Sequence, residues 1–236
     1  MQLYSTLAPY YSILNPNGVY DTEVWHYMNV FEQKLGSIQK IIEFGSGVGA
    51  FAESLPTHLK VTLVDLSQDM LFESQKRNPN KKHVCSDIRN VSIEQIDDLV
   101  DVVFLHDAVM YLTTEDDLYK TFQSAKKCLR NGGILLVVPD VFEEDFEEHF
   151  LAGGEDGFVE NQHVSVRLTE WHWRNLEDPN RIFVEFSLMI RHENQPVQHV
   201  HETHVMGLFS QEQYIQHLQK AGFTDIEIRE DGIWAQ

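Results

Sequence analysis

At 236 residues, 42% of them apolar, the chain is long enough for one α/β domain with an insertion and can bury a substantial core. Lys plus Arg number 18 against 37 Asp plus Glu, a formal charge of −19, and no basic run exceeds the pairs Lys81-Lys82 and Lys126-Lys127. A nucleic-acid backbone therefore finds no basic stripe to bind, which argues against DNA or RNA as partner. The two cysteines, Cys85 and Cys128, exclude a disulfide framework, and both are expected in buried segments as reduced thiols. Residues 1–9 show neither a charged nor an apolar targeting region, and the longest apolar stretch, 133–139, is too short to cross a bilayer. A soluble, cytoplasmic protein without membrane partners is expected.

The first 39 residues read as a helical N-terminal cap, with Thr22 as N-cap of a helix over 23–35. Its aromatics Tyr4, Tyr10, Tyr11, Tyr20 and Trp25 are dense, and Tyr20 is expected either to cover the sheet edge or to close over a ligand. From residue 40 onward strand and helix alternate, the signature of a Rossmann-like, doubly wound, mostly parallel sheet. The strands are expected at 40–43, 60–65, 82–86, 101–106 and 134–139. Ser67 before Met70-Leu71 reads as an N-cap. The stretch 114–128 places Leu118, Phe122, Ala125 and Leu129 on one helix face, and Asn131-Gly132-Gly133 is expected to end that helix. After residue 150 three alternating runs, 163–173, 181–191 and 197–206, predict an antiparallel β insertion after the fifth strand, at about 160–207 of a domain running from 40 to 236. A helix over 210–221, closed by Gly222, and a strand over 224–229 follow.

The chemistry is concentrated at the strand ends. Residues 41–49 read Ile-Ile-Glu-Phe-Gly-Ser-Gly-Val-Gly, and the next strand ends in Asp65. Gly45, Gly47 and Gly49 let the chain turn sharply and let a ligand lie against the backbone, and Asp65 stands where it can accept from ribose hydroxyls. The spacing GxGxG, in place of the GxGxxG of pyrophosphate loops, favours S-adenosylmethionine over a dinucleotide. Glu43, at the entrance of the loop, joins Asp65 and Asp87, which ends the third strand and is placed to receive the adenine amino group. Ser46, Leu66, Met70, Ile88 and Tyr20 complete the expected cofactor pocket.

The fourth strand ends in His106-Asp107-Ala108-Val109-Met110-Tyr111, which makes His106, Asp107 and Tyr111 the catalytic candidates, with His106 lying beside both cofactor and acceptor. Transfer of a methyl group from a sulfonium is an in-line displacement that gains most from alignment, and a base is needed only when the nucleophile arrives protonated. His106 suits that role near neutral pH. Tyr10, Arg167, Trp171 and His204 are the substrate candidates, and the insertion strands with Arg167, Trp171 and Trp173 are expected to roof the substrate or to build a homodimer interface. No metal is expected: His199 and His201 share one strand face while His204 points the other way, and Asp107 with Asp140 lacks a third Mg²⁺ ligand.

On Glu43–Gly49, Asp65, Asp87 and Leu129-Arg130-Asn131-Gly132-Gly133, residues 38–140 resemble the class I S-adenosylmethionine-dependent methyltransferases. The layout outside that segment is similar to the N,N-dimethyltransferases of nucleotide-linked amino sugars, through Leu7-Ala8-Pro9-Tyr10, Pro139-Asp140-Val141-Phe142, Asp145-Phe146 and His204 ahead of Leu208–Tyr214. Where that subgroup carries a histidine after the fourth strand this chain has Tyr111, and a Trp-Trp pair is replaced by Asp140-Val141. The resemblance implies the fold, S-adenosylmethionine as cofactor, S-adenosylhomocysteine as product, and a small-molecule acceptor, an amine nitrogen ahead of a hydroxyl. Two readings of other classes stand beside it: a nicotinamide-dependent oxidoreductase, which the glycine spacing disfavours, and a cofactor-binding regulator without turnover.

Overall fold

Alternate residues of the short apolar runs face opposite sides of one sheet, and helices cover both. The computed structural model describes residues 1–151, 156–159 and 163–236. Among these, β1 (Lys40–Phe44), β2 (Lys60–Asp65), β3 (Lys82–Cys85), β4 (Val100–Leu105) and β5 (Leu129–Val137) pair in parallel in the order β3-β2-β1-β4-β5. The chain finishes the same sheet with β11 (Ile226–Arg229) and β12 (Gly232–Ala235), numbered after the insertion strands. β12 runs antiparallel beside β5, and β11 lies outside it. Order reverses between β1 and β4, which opens a crevice at their carboxyl ends.

One sheet face, carrying Ile41, Leu63, Val102, Phe104 and Leu136, packs on α2 (Asp21–Leu35) through Tyr27, Met28 and Phe31, and on α3 (Ala50–Glu53) through Phe51. The opposite face, with Ile42, Val64, Val103, Leu105 and Leu135, packs on α6 (Glu115–Cys128) through Leu118, Phe122 and Ala125. Each fully buried Val, Leu, Ile, Phe or Met among these contributes about 1.5–3 kcal/mol relative to exposure. α6 starts where expected, with the Thr114 hydroxyl accepting from Asp117 N at 3.1 Å. α4 (Gln68–Arg77) starts at Ser67, whose Oγ accepts from Met70 N at 3.2 Å. α7 (Gln211–Lys220) carries a full capping box from Ser210 and Gln213.

The insertion forms a second, antiparallel sheet. β8 (Val164–Arg174), β9 (Arg181–His192) and β10 (Gln198–Gly207) form hairpins close to the expected spans, joined by β6 (His149–Leu151) and β7 (Asp156–Val159), which the sequence reading lacks. The expected start of the insertion, residue 160, lies outside the described residues. Strict alternation puts Ile182, Val184, Phe186, Leu188 and Ile190 of β9 into the same core that covers β4 and β5.

Several local expectations are corrected. α2 begins at Asp21 with Tyr20 at the cap position and no side-chain cap bond, because exposed Thr22 falls inside the first turn. Asn131-Gly132-Gly133 does not close α6. The helix ends when Leu129 turns extended, and the glycines form an irregularity within β5 as pairing with β4 shifts between Val100 and Val102. Cys85 is exposed, unlike buried Cys128, because β3 is the edge strand and Cys85 its last residue. His106 lies just beyond β4, the strand expected over 224–229 begins at Ile226, and β12 after it is absent from the sequence reading.

Candidate active site

The carboxyl ends of β1 to β4 enclose a cavity of about 470 Å³, and α1 (Ala8–Leu14), the segment before it and Tyr20 close its open side. Glu43, Gly45, Ser46 and Gly47 line it after β1, Asp65, Leu66 and Met70 after β2, Asp87 and Ile88 after β3, and His106, Asp107 and Tyr111 after β4. A volume of this size suits a bound small molecule.

The glycine loop is held by its neighbours. Gly45 N and Ser46 N both donate to Val64 O, at 2.8 and 3.0 Å, which folds the loop across β2. Gly45 has φ +73°, and a Cβ there would lie 2.1 Å from Ala108 Cβ, so only glycine lets the loop meet the β4 turn. Gly49 serves packing: it does not line the cavity, and a Cβ would meet Ser74 Oγ at 2.3 Å and Asn78 Nδ2 at 2.5 Å on α4. Asp65 accepts from Gly47 N through Oδ2 and from Ser67 N through Oδ1, both at 2.8 Å. Burial raises its carboxyl above the ordinary value, against the lowering by these backbone donors. A carboxylate retains further lone pairs for ribose hydroxyls after these two bonds.

Three features fit S-adenosylmethionine. Glu43 is 5% exposed, burial pushes its carboxyl up to about 8 although Lys81 draws it down, and its Oε2 has no hydrogen-bond partner. Buried Ser46 Oγ is also unpartnered. Such groups are costly to leave unpaired, so a cationic, hydrogen-bonding ligand end such as the methionine ammonium answers both. At the lip, Leu66 is 70% exposed, an apolar surface for a flat base to cover. Asp87, by contrast, is engaged within the protein: Arg89 grips its carboxylate through Nε at 2.9 Å and Nη2 at 2.6 Å, and this pair holds the acid below its usual range.

The β4 turn brings the catalytic candidates together. His106 stacks on Phe104 and sets an edge against Tyr20, with Nε2 at 3.4 Å from Glu23 Oε1 and Nδ1 at 3.3 Å from Asp107 Oδ1. Glu23 escaped the sequence reading because it comes from α2, far away in the chain. Tyr111 Oη lies 2.6 Å from Tyr4 Oη and 2.8 Å from His204 Nδ1. His204 is itself buried behind Tyr111 and does not line the cavity, so it is not placed to touch a substrate. Tyr10, Arg167 and Trp171 are likewise absent from the lining. Tyr10 bonds His192 Nε2 at 3.2 Å, Arg167 lies exposed on β8, and Trp171 packs on Phe150 with both rings more than half exposed. Tyr4 and Tyr11 are lining residues that sequence position did not single out as site residues. Their only advance signal was the aromatic density of the N-terminus. Among the described residues no three or more His, Cys, Asp or Glu stand close enough to hold a metal, and no helix is long and apolar enough to cross a membrane.

A doubly wound sheet with a glycine-loop cavity at its switch point is the architecture of a nucleoside-cofactor pocket, and residues 42–137 match the family model described as a methyltransferase domain. Those residues carry a methyltransferase domain, and the pocket and the relatives agree with S-adenosylmethionine as its cofactor. The chain is 22% identical over 211 residues to dTDP-3-amino-3,4,6-trideoxy-alpha-D-glucopyranose N,N-dimethyltransferase of Streptomyces venezuelae, covering 89% of this chain and 84% of that one. Among solved structures it resembles Streptomyces venezuelae DesVI, with TM-score 0.81, 20% identity and coverage of 92% and 91%. It also resembles SAM-bound CalS10, an amino pentose methyltransferase from Micromonospora echinaspora, with TM-score 0.75, 19% identity and coverage of 92% and 90%.

Proposed function

We propose that this methyltransferase acts on an amine nitrogen of a small sugar, with a nucleotide-linked amino sugar as the first acceptor to test. The observation that carries the reading is the acidic β4 side of the cavity. Asp107 lines it, and burial followed by the neighbouring Asp107 and the Glu170 charge raises the Asp140 carboxyl well above its ordinary range. Carboxylates crowded in this way are relieved by a cationic guest, and a protonated amine supplies one where a hydroxyl does not. The relatives named for amino sugars and an amino pentose support the sugar.

When bound, the cofactor supplies an electrophilic methyl group on a sulfonium. Glu43 and Ser46 would hold its methionine end, Asp65 its ribose, and Leu66, Asp87 and Ile88 its base. The wall of Tyr4, Tyr11, Tyr20 and His106 excludes water and orients the acceptor nitrogen for in-line attack, where most of the acceleration of such a displacement arises. Incubating the purified protein with S-adenosylmethionine and dTDP-linked 3-amino or 4-amino sugars, followed by product mass, tests this. Methylation of the amine, absent from the analogue bearing a hydroxyl at that carbon, is the expected result. Transfer to the hydroxyl analogue alone would move the assignment to O-methylation.

A further inference from the structure

A chain of polar side chains leads from the cavity into the protein interior. Tyr4 Oη and Tyr111 Oη are 2.6 Å apart, Tyr111 Oη is 2.8 Å from His204 Nδ1, and His204 Nε2 is 2.7 Å from Glu202 Oε1. Both tyrosines line the cavity, whereas the His204 side chain is fully buried and reaches solvent nowhere. Glu202 also accepts from Gln2 N at 2.7 Å and Leu3 N at 2.8 Å, and these donors with His204 hold its carboxyl below the ordinary value against the effect of burial.

The direction of the chain follows from its inner end. Ionised Glu202 can only accept, so His204 Nε2 carries a hydrogen and donates to it. In the neutral imidazole Nδ1 then holds a lone pair, which takes the Tyr111 hydroxyl hydrogen. Tyr111 Oη in turn accepts from Tyr4. Every hydrogen therefore points inward, and the tyrosine oxygens turn lone pairs toward the cavity. His106, the base expected from sequence, is differently disposed, because a carboxylate faces each of its ring nitrogens.

We propose that His204, oriented by Glu202, is the proton acceptor that frees the substrate amine, and that it acts through Tyr111. The inference rests on the amine-acceptor reading above. An ammonium N–H transfers its proton to Tyr111 Oη as the Tyr111 hydroxyl proton moves to His204 Nδ1. The N–H bonding pair stays on nitrogen as the nucleophilic lone pair. Tyr111 ends neutral, His204 becomes an imidazolium, and Glu202 remains ionised beside it, so one proton and one positive charge have moved inward. The proton returns to water by the same route once product leaves. Burial holds Tyr4 and Tyr111 protonated, with the hydroxyl chemistry of carriers and not of stores. Glu202 and Tyr4 are positioning residues in this scheme. The titratable groups that face the relay are Tyr4 from the N-terminal segment, Tyr11 from α1, Tyr111 from the β4 turn and Glu202 from β10, and the charges of Asp107, Asp140 and Glu170 reach the tyrosines from around the cavity.

The test has two readouts. In ¹⁵N-histidine spectra of the free protein, His204 should be the neutral tautomer with hydrogen on Nε2, and hydrogen on Nδ1 would overturn the relay whatever the acceptor. In turnover of a dTDP-linked amino sugar, wild-type rate should fall toward acid pH. His204→Gln, which preserves a polar side chain but stores no proton, should lower kcat about 10²-fold near neutral pH. Its remaining rate should climb with pH as the free amine forms, and Tyr111→Phe should reproduce that profile while S-adenosylmethionine binding stays near wild type. A wild-type pH profile retained in both variants would overturn the relay alone. Failure of the wild-type protein to methylate any amine, with cofactor binding intact, would overturn the acceptor reading instead.

Discussion

Glu43 concentrates electrostatic tension at one residue, because burial lifts its carboxyl from 4.5 to about 8 and leaves Oε2 unpartnered. Between those two values the folded protein holds a proton that the unfolded chain has lost. Its contribution to stability is therefore most favourable below 4.5, declines as pH rises to 8, and is level above, by a few kcal/mol at most. Subtracting the pH-dependent stability of Glu43→Gln from that of wild type in denaturant titrations should expose this slope. Binding has the opposite sense: a cationic ligand end prefers the ionised acid, so cofactor affinity should weaken as pH falls below about 8, by up to about tenfold per pH unit, and Glu43→Gln should remove that dependence. Calorimetric titration across the range would detach Glu43 from the cofactor if wild-type affinity proved flat. Asp65 is the second residue of this kind. Asp65→Ala removes charge-assisted bonds worth about 1.5–3 kcal/mol, and S-adenosylmethionine affinity should fall roughly 10- to 150-fold. Unchanged affinity in the same titration would confine Asp65 to holding Gly47 and Ser67.

At the scale of elements, the insertion presses on the catalytic turn most tightly through a glycine, beside the Tyr111–His204 hydrogen bond. A Cβ on Gly207, the last residue of β10, would lie 2.1 Å from Leu112 O, and that oxygen belongs to the backbone directly after Tyr111. Gly207→Ala must part the two elements. It should destabilise by about 1–3 kcal/mol as overpacking does, and it should lower turnover more than cofactor affinity because Tyr111 moves with the turn. Thermal melts with parallel kinetics and titrations check both halves, and wild-type turnover would show that the turn absorbs the change. The same juxtaposition explains what the sequence could disclose. The parallel core was legible because its signals are local: apolar runs, Ser67 and Thr114 at helix starts, glycines and Asp65 at strand ends. β6 and β7 were not, since short edge strands draw their pairing from β8 and carry little periodicity themselves. Asn131–Gly133 looked like a helix stop because glycine has the same conformational freedom in a strand irregularity. His204 was recognisable as a site candidate, but its partners stand at positions 4, 111 and 202, and no spacing rule joins them.

Over the whole molecule, the division expected from sequence, an N-terminal cap of residues 1–39 and a domain of residues 40–236 with an insertion, is crossed by the apolar contacts. Leu3 and Leu14 of the cap, Val103 and Leu135 of the parallel sheet, and Val184 and Ile190 of the insertion belong to one continuous core cluster. On the other sheet face Phe31 of α2 packs against Trp234 of β12 at 5.3 Å between ring centroids, tying the beginning of the chain to its end. Units that share a core expose it together, so we expect one cooperative transition, with near-ultraviolet signals from the insertion's Trp171 and Trp173 and far-ultraviolet signals from the helices coinciding in urea. An early separate transition of the tryptophan signal would instead make the insertion an independent folding unit. The coupling has a functional consequence, because Glu202 and His204 belong to the insertion while the hydroxyls they orient belong to the cap and the parallel domain. A methyl-transfer site assembled across all three segments should lose catalytic alignment before it loses the cofactor loop, whose hydrogen bonds lie within the parallel domain although Ala8 of the cap packs beside Val48 and Met70. At urea concentrations just below the midpoint, turnover is therefore expected to fall ahead of S-adenosylmethionine affinity, and a parallel decline of the two would place the alignment wholly within the parallel domain.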